Sequence, residues 1–552
     1  MSIPERWLIA AVGALCVAGT AYADPALADL VQAGNDAAAL KLIDSGANVN
    51  TPQGDGSTPL DWATYRLDVG LVKTLLRHGA DPNAMNNFGS SPLTEAVKAA
   101  NIELVRILLR AGAQADGANA DGQTPLMLAA RNGQLEIAKL LVRRGANVNA
   151  REKWRGQTAL MWAAAEGYPA MTAYLVKHGA KVDVREIYND WLDKATQITS
   201  EPRAQYRPEG GLTALLYAVR SGCEGCVTAL LKGGADVNKP TPEGITPLIS
   251  ALDNLHFGLA KDLLEHGANP RTWDWYGRTP LYVAVDMHTY IRRFGPGYGA
   301  QTQPAGNIAA QKDSTTAVDI VRMLLADGVD PNVQLDLHRP GRGGNSGRFT
   351  DDLLRTGCTP LLRAAMSHDN EVVELLLEHG ALVDLPNVNG VTPLIAAAGM
   401  GMRGGPGAIV PDLRGDFGPQ AGLDAVRTLD LLLKAGANVN ARVTDTSSHS
   451  GRIARASTMT RRQGQTALYG AIYRGWTPVV QYLLEHGARV DVTDAVGRSP
   501  LMAAKGADGI RGFKPVKAII AILSEASAAR EVTAISHPRP TEGPPSARNL
   551  LD

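Results

Sequence analysis

Ala120-Asp121-Gly122-Gln123-Thr124-Pro125-Leu126-Met127-Leu128-Ala129-Ala130-Arg131-Asn132-Gly133 is the stretch that decides how this chain folds. Gly122 permits the backbone turn that precedes a helix, because it has no Cβ to clash at positive φ. Thr124 stands where a helix N-cap belongs, and Pro125 at the first helical position gives up no needed hydrogen bond. Leu126, Leu128, Ala129 and Ala130 make a short helix whose small residues allow close approach of a neighbour, and Asn132-Gly133 ends it. Ile137, Ala138, Leu140, Leu141 and Val142 then form a second apolar stripe at helical spacing. Gly145 closes that helix in the left-handed cap position, and Ala146-Asn147-Val148-Asn149 leads into the next turn.

The same phrase returns along the chain. Thr58-Pro59-Leu60, Ser91-Pro92-Leu93, Thr158-Ala159-Leu160, Thr213-Ala214-Leu215, Thr246-Pro247-Leu248, Thr279-Pro280-Leu281, Thr359-Pro360-Leu361, Thr392-Pro393-Leu394, Thr466-Ala467-Leu468 and Ser499-Pro500-Leu501 are its other copies. Most neighbours lie 33 residues apart, and a Gly-Ala close recurs, as at Gly79-Ala80, Gly234-Ala235, Gly436-Ala437 and Gly487-Ala488. On these residues the chain resembles the ankyrin repeat family over about residues 24–529. The resemblance implies an all-α ankyrin-repeat solenoid of about twelve helix-turn-helix units with β-turn or hairpin edges. A capping unit is expected at about 24–53, another at about 495–529, and a tail from Arg530. A unit of this size cannot bury its own apolar face and must stack on its neighbours, so one continuous array is expected rather than several globular domains.

Charge argues against some partners. The chain has 55 basic and 55 acidic residues, so no global field draws it to nucleic acid or anionic lipid. Leu8 to Ala21 is an apolar run after Arg6, followed by Ala21-Tyr22-Ala23. This reads as a signal peptide over 1–23 cleaved after Ala23, and hence as a periplasmic or secreted protein with no membrane span in the mature chain. Cys223-Glu224-Gly225-Cys226 has the spacing of a redox or metal pair. It lacks a second pair for zinc, a following His for haem and a βαβ setting. A buried Cys226 beside a neighbour at an exposed helix start is one reading, and a disulfide in an oxidising compartment is the other.

Insertions interrupt the period near 185–210, 289–314, 335–356, 399–421 and 441–463. Those near 185–210, 335–356 and 441–463 follow a second helix, so they are expected to leave on the turn-bearing edge beside a concave partner-holding face. They carry Trp191, Tyr206, Arg207, Arg339, Arg342, Arg348, Phe349, Arg452 and Arg455, the apolar anchors and forked donors that a binding crown needs. Mobile spacers are the competing reading. Trp273-Asp274-Trp275-Tyr276 places three rings at a turn tip, the residue types that dominate binding hot spots, and Trp154 holds a comparable tip. Trp62 and Trp162 are expected in the core.

Chemistry is thin. His78, His178, His266, His379 and His486 each precede a helix-ending glycine, where a ring suits the negative end of the helix, so they are structural and not metal ligands. No catalytic motif stands out, no cofactor is implied, and Arg342–Gly347 lacks the strand and lysine of a nucleotide loop. The expected function is non-enzymatic protein–protein binding through the concave face and loop crown. The alternative is a receptor for an anionic glycan or small anionic ligand held by Arg339, Arg342, Arg348, Arg452 and Arg455. An enzyme with its site in the insertions is the least supported.

Overall fold

The copies start their helices by the same local chemistry, Thr466 excepted, which makes no side-chain cap bond. The Thr124 hydroxyl oxygen accepts from the Met127 N–H at 3.3 Å, Thr246 from Ile249 at 3.2 Å and Thr359 from Leu362 at 3.1 Å. Most of the helices that follow, such as Pro125–Arg131, Pro247–Asp253 and Pro360–Met366, are seven residues long, and most of their partners, such as Leu135–Arg143, are nine. Gly145 ends the latter with φ of 89°, and an added Cβ would meet nothing within 4 Å. The requirement there is backbone conformation alone.

The computed structural model describes residues 26–189, 209–294, 314–336, 356–400, 419–444, 462–506 and 514–536. They form two compact units divided after Lys153. In the first, four helix pairs run from Leu27–Gln32 with Asp36–Asp44 to Pro125–Arg131 with Leu135–Arg143. In the second, eight pairs run from Ala159–Ala165 with Pro169–Lys177 to Pro500–Ala504 with Lys517–Ser536. This is the all-α ankyrin-type stack that the repeat implies. Its one departure from helix among the described residues is a two-residue antiparallel ribbon, Tyr188 opposite Gly210 and Asn189 opposite Glu209.

Stacking is fixed by a repeated asparagine or aspartate clamp. The side-chain oxygen of Asn50 accepts from the Asp81 N–H at 2.7 Å, Asn83 from Gln114 at 2.7 Å and Asn238 from Asn269 at 2.7 Å, each 31 residues on. The identical bond joins Asp183 to Asp236, Asn332 to Leu382, Asp384 to Asn438 and Asn440 to Arg489, where the separations are 53, 50, 54 and 49 residues. The clamp bond is therefore the same whether or not an inserted segment lies between its two residues.

All five histidines before closing glycines cap their helices, with Nδ1 2.7–2.9 Å from the carbonyl oxygen four residues back. Three boundaries differ from the sequence reading. Helix Pro280–Phe294 runs through residues 289–294, which were assigned to an insertion. Helix Pro419–Lys434 likewise starts inside the 399–421 segment. The last helix continues past Arg530 to Ser536. Periodicity marks the repeat and not the extra turns appended to it. Trp162 is buried as expected, but Trp62 is only half-buried: its indole N–H donates to Gln53 Oε1 at 2.7 Å and its ring meets Tyr65 edge-on at 5.8 Å. The hydrogen-bonded indole stays at the hairpin edge.

Candidate partner-binding edge

Hairpin tips of the second unit are laced together by main-chain bonds. The Ile187 N–H donates to the Arg155 carbonyl at 2.6 Å, and the Trp275 N–H to that of Glu243 at 2.7 Å. Further on, Asp336 donates to Tyr276 at 3.1 Å, Val388 to Thr356 at 3.0 Å and Ala495 to Gln463 at 2.9 Å. Pro242 closes the remaining gap by packing on Gly211, where an added Cβ would lie 2.5 Å from its Cδ. The result is a continuous edge that carries large exposed apolar side chains: Trp154 is 84% exposed, Trp273 is 65% exposed, and Ile187 and Tyr188 between them also face outward.

The described residues that flank the segments near 185–210, 335–356 and 441–463 lie on this edge. These flanks are paired stems: Glu186 N–H to Leu212 O at 3.0 Å, Leu335 N–H to Cys358 O at 3.0 Å, and Val443 N–H to Gln465 O at 2.9 Å. Polar side chains around the buried Glu186 brace the first stem. Tyr217 donates to Glu186 Oε2 at 2.6 Å, Gln157 Nε2 donates to the same oxygen at 3.1 Å, and Trp162 Nε1 donates to Gln157 Oε1 at 2.8 Å. Burial, reinforced by the Glu186 carboxylate, pushes the Tyr217 phenol far above its ordinary range, so it remains a donor. At the third stem, Gln465 donates to Tyr473 and to Asp494, and the Arg462 guanidinium sits 4.1 Å from the Tyr473 ring centre. Burial alone would raise the Asp494 carboxyl, but bonds from Arg498 and Gln465 outweigh it and hold the group below its usual value.

Of the candidate residues, Trp273 stands outward as expected, and Trp275 is half-buried. Tyr276 is a correction: it is 4% exposed, not part of an exposed trio. The turn explains this, because Asp274 Oδ1 accepts from the N–H groups of Tyr276 and Arg278 and turns the Tyr276 ring inward, 5.8 Å from the Arg278 guanidinium carbon. Trp191, Tyr206, Arg207, Arg339, Arg342, Arg348, Phe349, Arg452 and Arg455 lie outside the described residues. Cys223 and Cys226 are joined in a disulfide, with Cys226 fully buried. Ile187 and Tyr188 were missed. Lying beside an interruption of the period, they show no tip signature in sequence. No cluster of three or more metal-ligating side chains occurs among the described residues, and no described helix is long and apolar enough to cross a membrane.

Comparison with known proteins agrees with this geometry. A family model described as ankyrin repeats (3 copies) matches residues 27–116, 68–152, 103–186, 153–241, 215–293, 307–404 and 423–511. The chain is 37% identical over 94 residues to the B-cell lymphoma 3 protein homolog of Mus musculus, covering 17% of this chain and 20% of that protein. It is 28% identical over 193 residues to the human transient receptor potential cation channel subfamily A member 1, covering 30% and 17%. It is 27% identical over 309 residues to the E3 ubiquitin-protein ligase KEG of Arabidopsis thaliana, covering 44% and 18%. The chain thus spans at most a fifth of the length of these relatives.

Proposed function

The chain belongs to the ankyrin repeat family, and from that premise we propose that it is a non-enzymatic scaffold that holds another protein along the hairpin edge of its second unit. The observation that carries the reading is the row of outward rings, Trp154, Tyr188 and Trp273, on tips held together by main-chain bonds and by the packing of Pro242 on Gly211. Large rings held in place in advance lose little side-chain freedom on binding, which is why such residues anchor interfaces. The segments whose stems lie on the same edge supply selectivity. The channel and ligase activities in two relatives' names are not transferred, because the match covers so little of either. Export is part of the proposal, supported by the leader-like residues 1–23 and by a disulfide that suits an oxidising compartment.

Photo-crosslinkers placed at Trp154, Tyr188 and Trp273, with controls at the exposed helix positions Lys177 and Glu265, test the surface. One partner captured at the three tips and not at the controls is the expected result. Equal capture at the controls removes the edge from consideration. Capture that collapses with salt as the arginines are substituted would instead favour an anionic ligand held by Arg339, Arg342, Arg348, Arg452 and Arg455. N-terminal sequencing of the exported protein, expected to begin at Asp24, checks the compartment.

A further inference from the structure

Cys223 starts the nine-residue helix Glu224–Lys232, at the position where every second helix of the array begins. In several other repeats that position holds a side-chain oxygen acceptor, while Gln134, Tyr168, His256, Asp369 and Trp476 make no side-chain cap bond there. The side-chain oxygens of Asn35, Asp68 and Asn101 accept from the N–H groups of Ala38, Leu71 and Leu104 at 3.3, 2.8 and 3.0 Å. In this one repeat the acceptor is sulfur: the Cys226 N–H donates to Cys223 Sγ at 3.2 Å. Cys226 is fully buried, whereas Cys223 is partly exposed, so an incoming reagent meets Cys223 first.

The neighbours do not cancel that preference for negative charge. From the preceding repeat, Gly167 and Pro169 lie against the pair: an added Cβ on Gly167 would be 3.9 Å from Cys223 Cβ, and one on Gly225 would be 2.8 Å from Pro169 Cβ. From the following repeat, the His256 ring rests on Gly222, where an added Cβ would lie 2.7 Å from its Cε1. Burial holds His256 below its ordinary pKa, so the ring is neutral at pH 7 and supplies no cation. Glu224 on the helix and Glu166 in the preceding turn are exposed carboxylates, screened by water. The backbone N–H and the positive end of the helix therefore decide the charge at Cys223.

We propose that Cys223 and Cys226 form a reversible thiol–disulfide site that exchanges with external dithiols, with Cys223 as the reactive sulfur. A dithiol thiolate attacks Cys223 Sγ, the Cys223–Cys226 bond breaks, and Cys226 leaves as a thiolate that takes up a proton. The second thiol of the reagent, deprotonated, then attacks the mixed disulfide. It releases Cys223 as a thiolate and the reagent as its cyclic disulfide. The two electrons end on the cysteine pair, and in the reverse direction a disulfide reagent recloses it. The freed Cys223 thiolate occupies the acceptor position that Asp68 fills in its own repeat. This site is independent of the partner-binding edge.

The test uses the full-length chain, reduced with dithiothreitol, freed of reagent without air, and treated with iodoacetamide across pH 5–10. Mass analysis of the Ser221–Lys232 tryptic peptide reads which sulfur has reacted. The expected result is alkylation at Cys223 ahead of Cys226, with a half-maximal pH below about 7.5 in both the wild type and Cys226→Ser, and reclosure of the pair by oxidised glutathione. A midpoint at or above the ordinary thiol value of about 8.5, or a pair that dithiothreitol cannot open in the folded chain, overturns the proposal. Cys358 is fully buried and reports folding, because it reacts only if the chain opens. If Cys226→Ser exposes Cys358, the reduced wild type alone gives the deciding midpoint.

Discussion

Asp61→Asn is expected to tighten the helix Pro59–Tyr65, and to do so only at neutral and alkaline pH. Asp61 is 5% exposed. Its Oδ2 accepts from the Thr58 N–H and hydroxyl, each at 2.8 Å, but Oδ1 is buried with no hydrogen-bond partner among the described residues. Burial pushes the carboxyl from 3.8 up to about 6 despite the Thr58 bonds. The sign follows from proton counting: between these values the folded chain keeps a proton that the unfolded chain releases, so stability falls as pH rises. The penalty is absent below 3.8 and complete above 6, and two pKa units correspond to about 3 kcal/mol. Asparagine keeps an acceptor for Thr58 and removes the charge, but its amide hydrogens need acceptors that the carboxylate did not. That lowers the net gain at pH 8 to about 1–2 kcal/mol, or roughly tenfold slower exchange. Amide hydrogen exchange of the 58–66 segment in the full chain, variant against wild type at each pH, reads it locally. Exchange in the variant as fast as or faster than wild type at pH 8, or an advantage that persists unchanged at pH 4, would refute the reasoning.

Two further outcomes follow from buried pairing and from the stacking clamp. Arg278→Ala strands the fully buried Asp274 carboxylate, which the guanidinium meets at 2.7 Å, and should cost about 3–5 kcal/mol in thermal or urea unfolding of the second unit. A double variant with Asp274→Asn should recover part of that loss. Asn238→Ala and Asn440→Ala each remove two bonds to the backbone of the next repeat, one accepted by the side-chain oxygen and one donated by its amide to Gly267 or Gly487, and should cost about 1–2 kcal/mol apiece. Equal acceleration of amide exchange at Asn269 and Arg489 is the expected readout. A much smaller effect at Arg489 would mean that the insertion before it weakens the stack.

Local chemistry made the fold legible. Thr124, Pro125 and Gly145 act within a few residues, so their spacing fixed where helices start and stop. The clamp was harder to see, because Asn332 and Leu382 look unrelated until the backbone brings them together. Ring orientation was not legible at all. Trp273 and Tyr276 share one tetrapeptide, yet Asp274 sends one outward and the other under Arg278. Glu186 gave no signal either, since its partners Gln157 and Tyr217 lie 29 and 31 residues away. The nine candidate residues within the inserted segments fall outside the described residues. The proposed function therefore rests on the tips rather than on the crown read from sequence.

Paired stems at the roots of the added segments bear on how such a chain can change. With Tyr188 held opposite Gly210, the two ends of the intervening stretch are already together, whatever its length. Closing a loop twice as long costs only about 0.6 kcal/mol more, and the next repeat docks through Asp183 and Asp236 as before. Lineages could lengthen, shorten or exchange these stretches with little penalty to folding, so recognition and stability can evolve on nearly separate tracks.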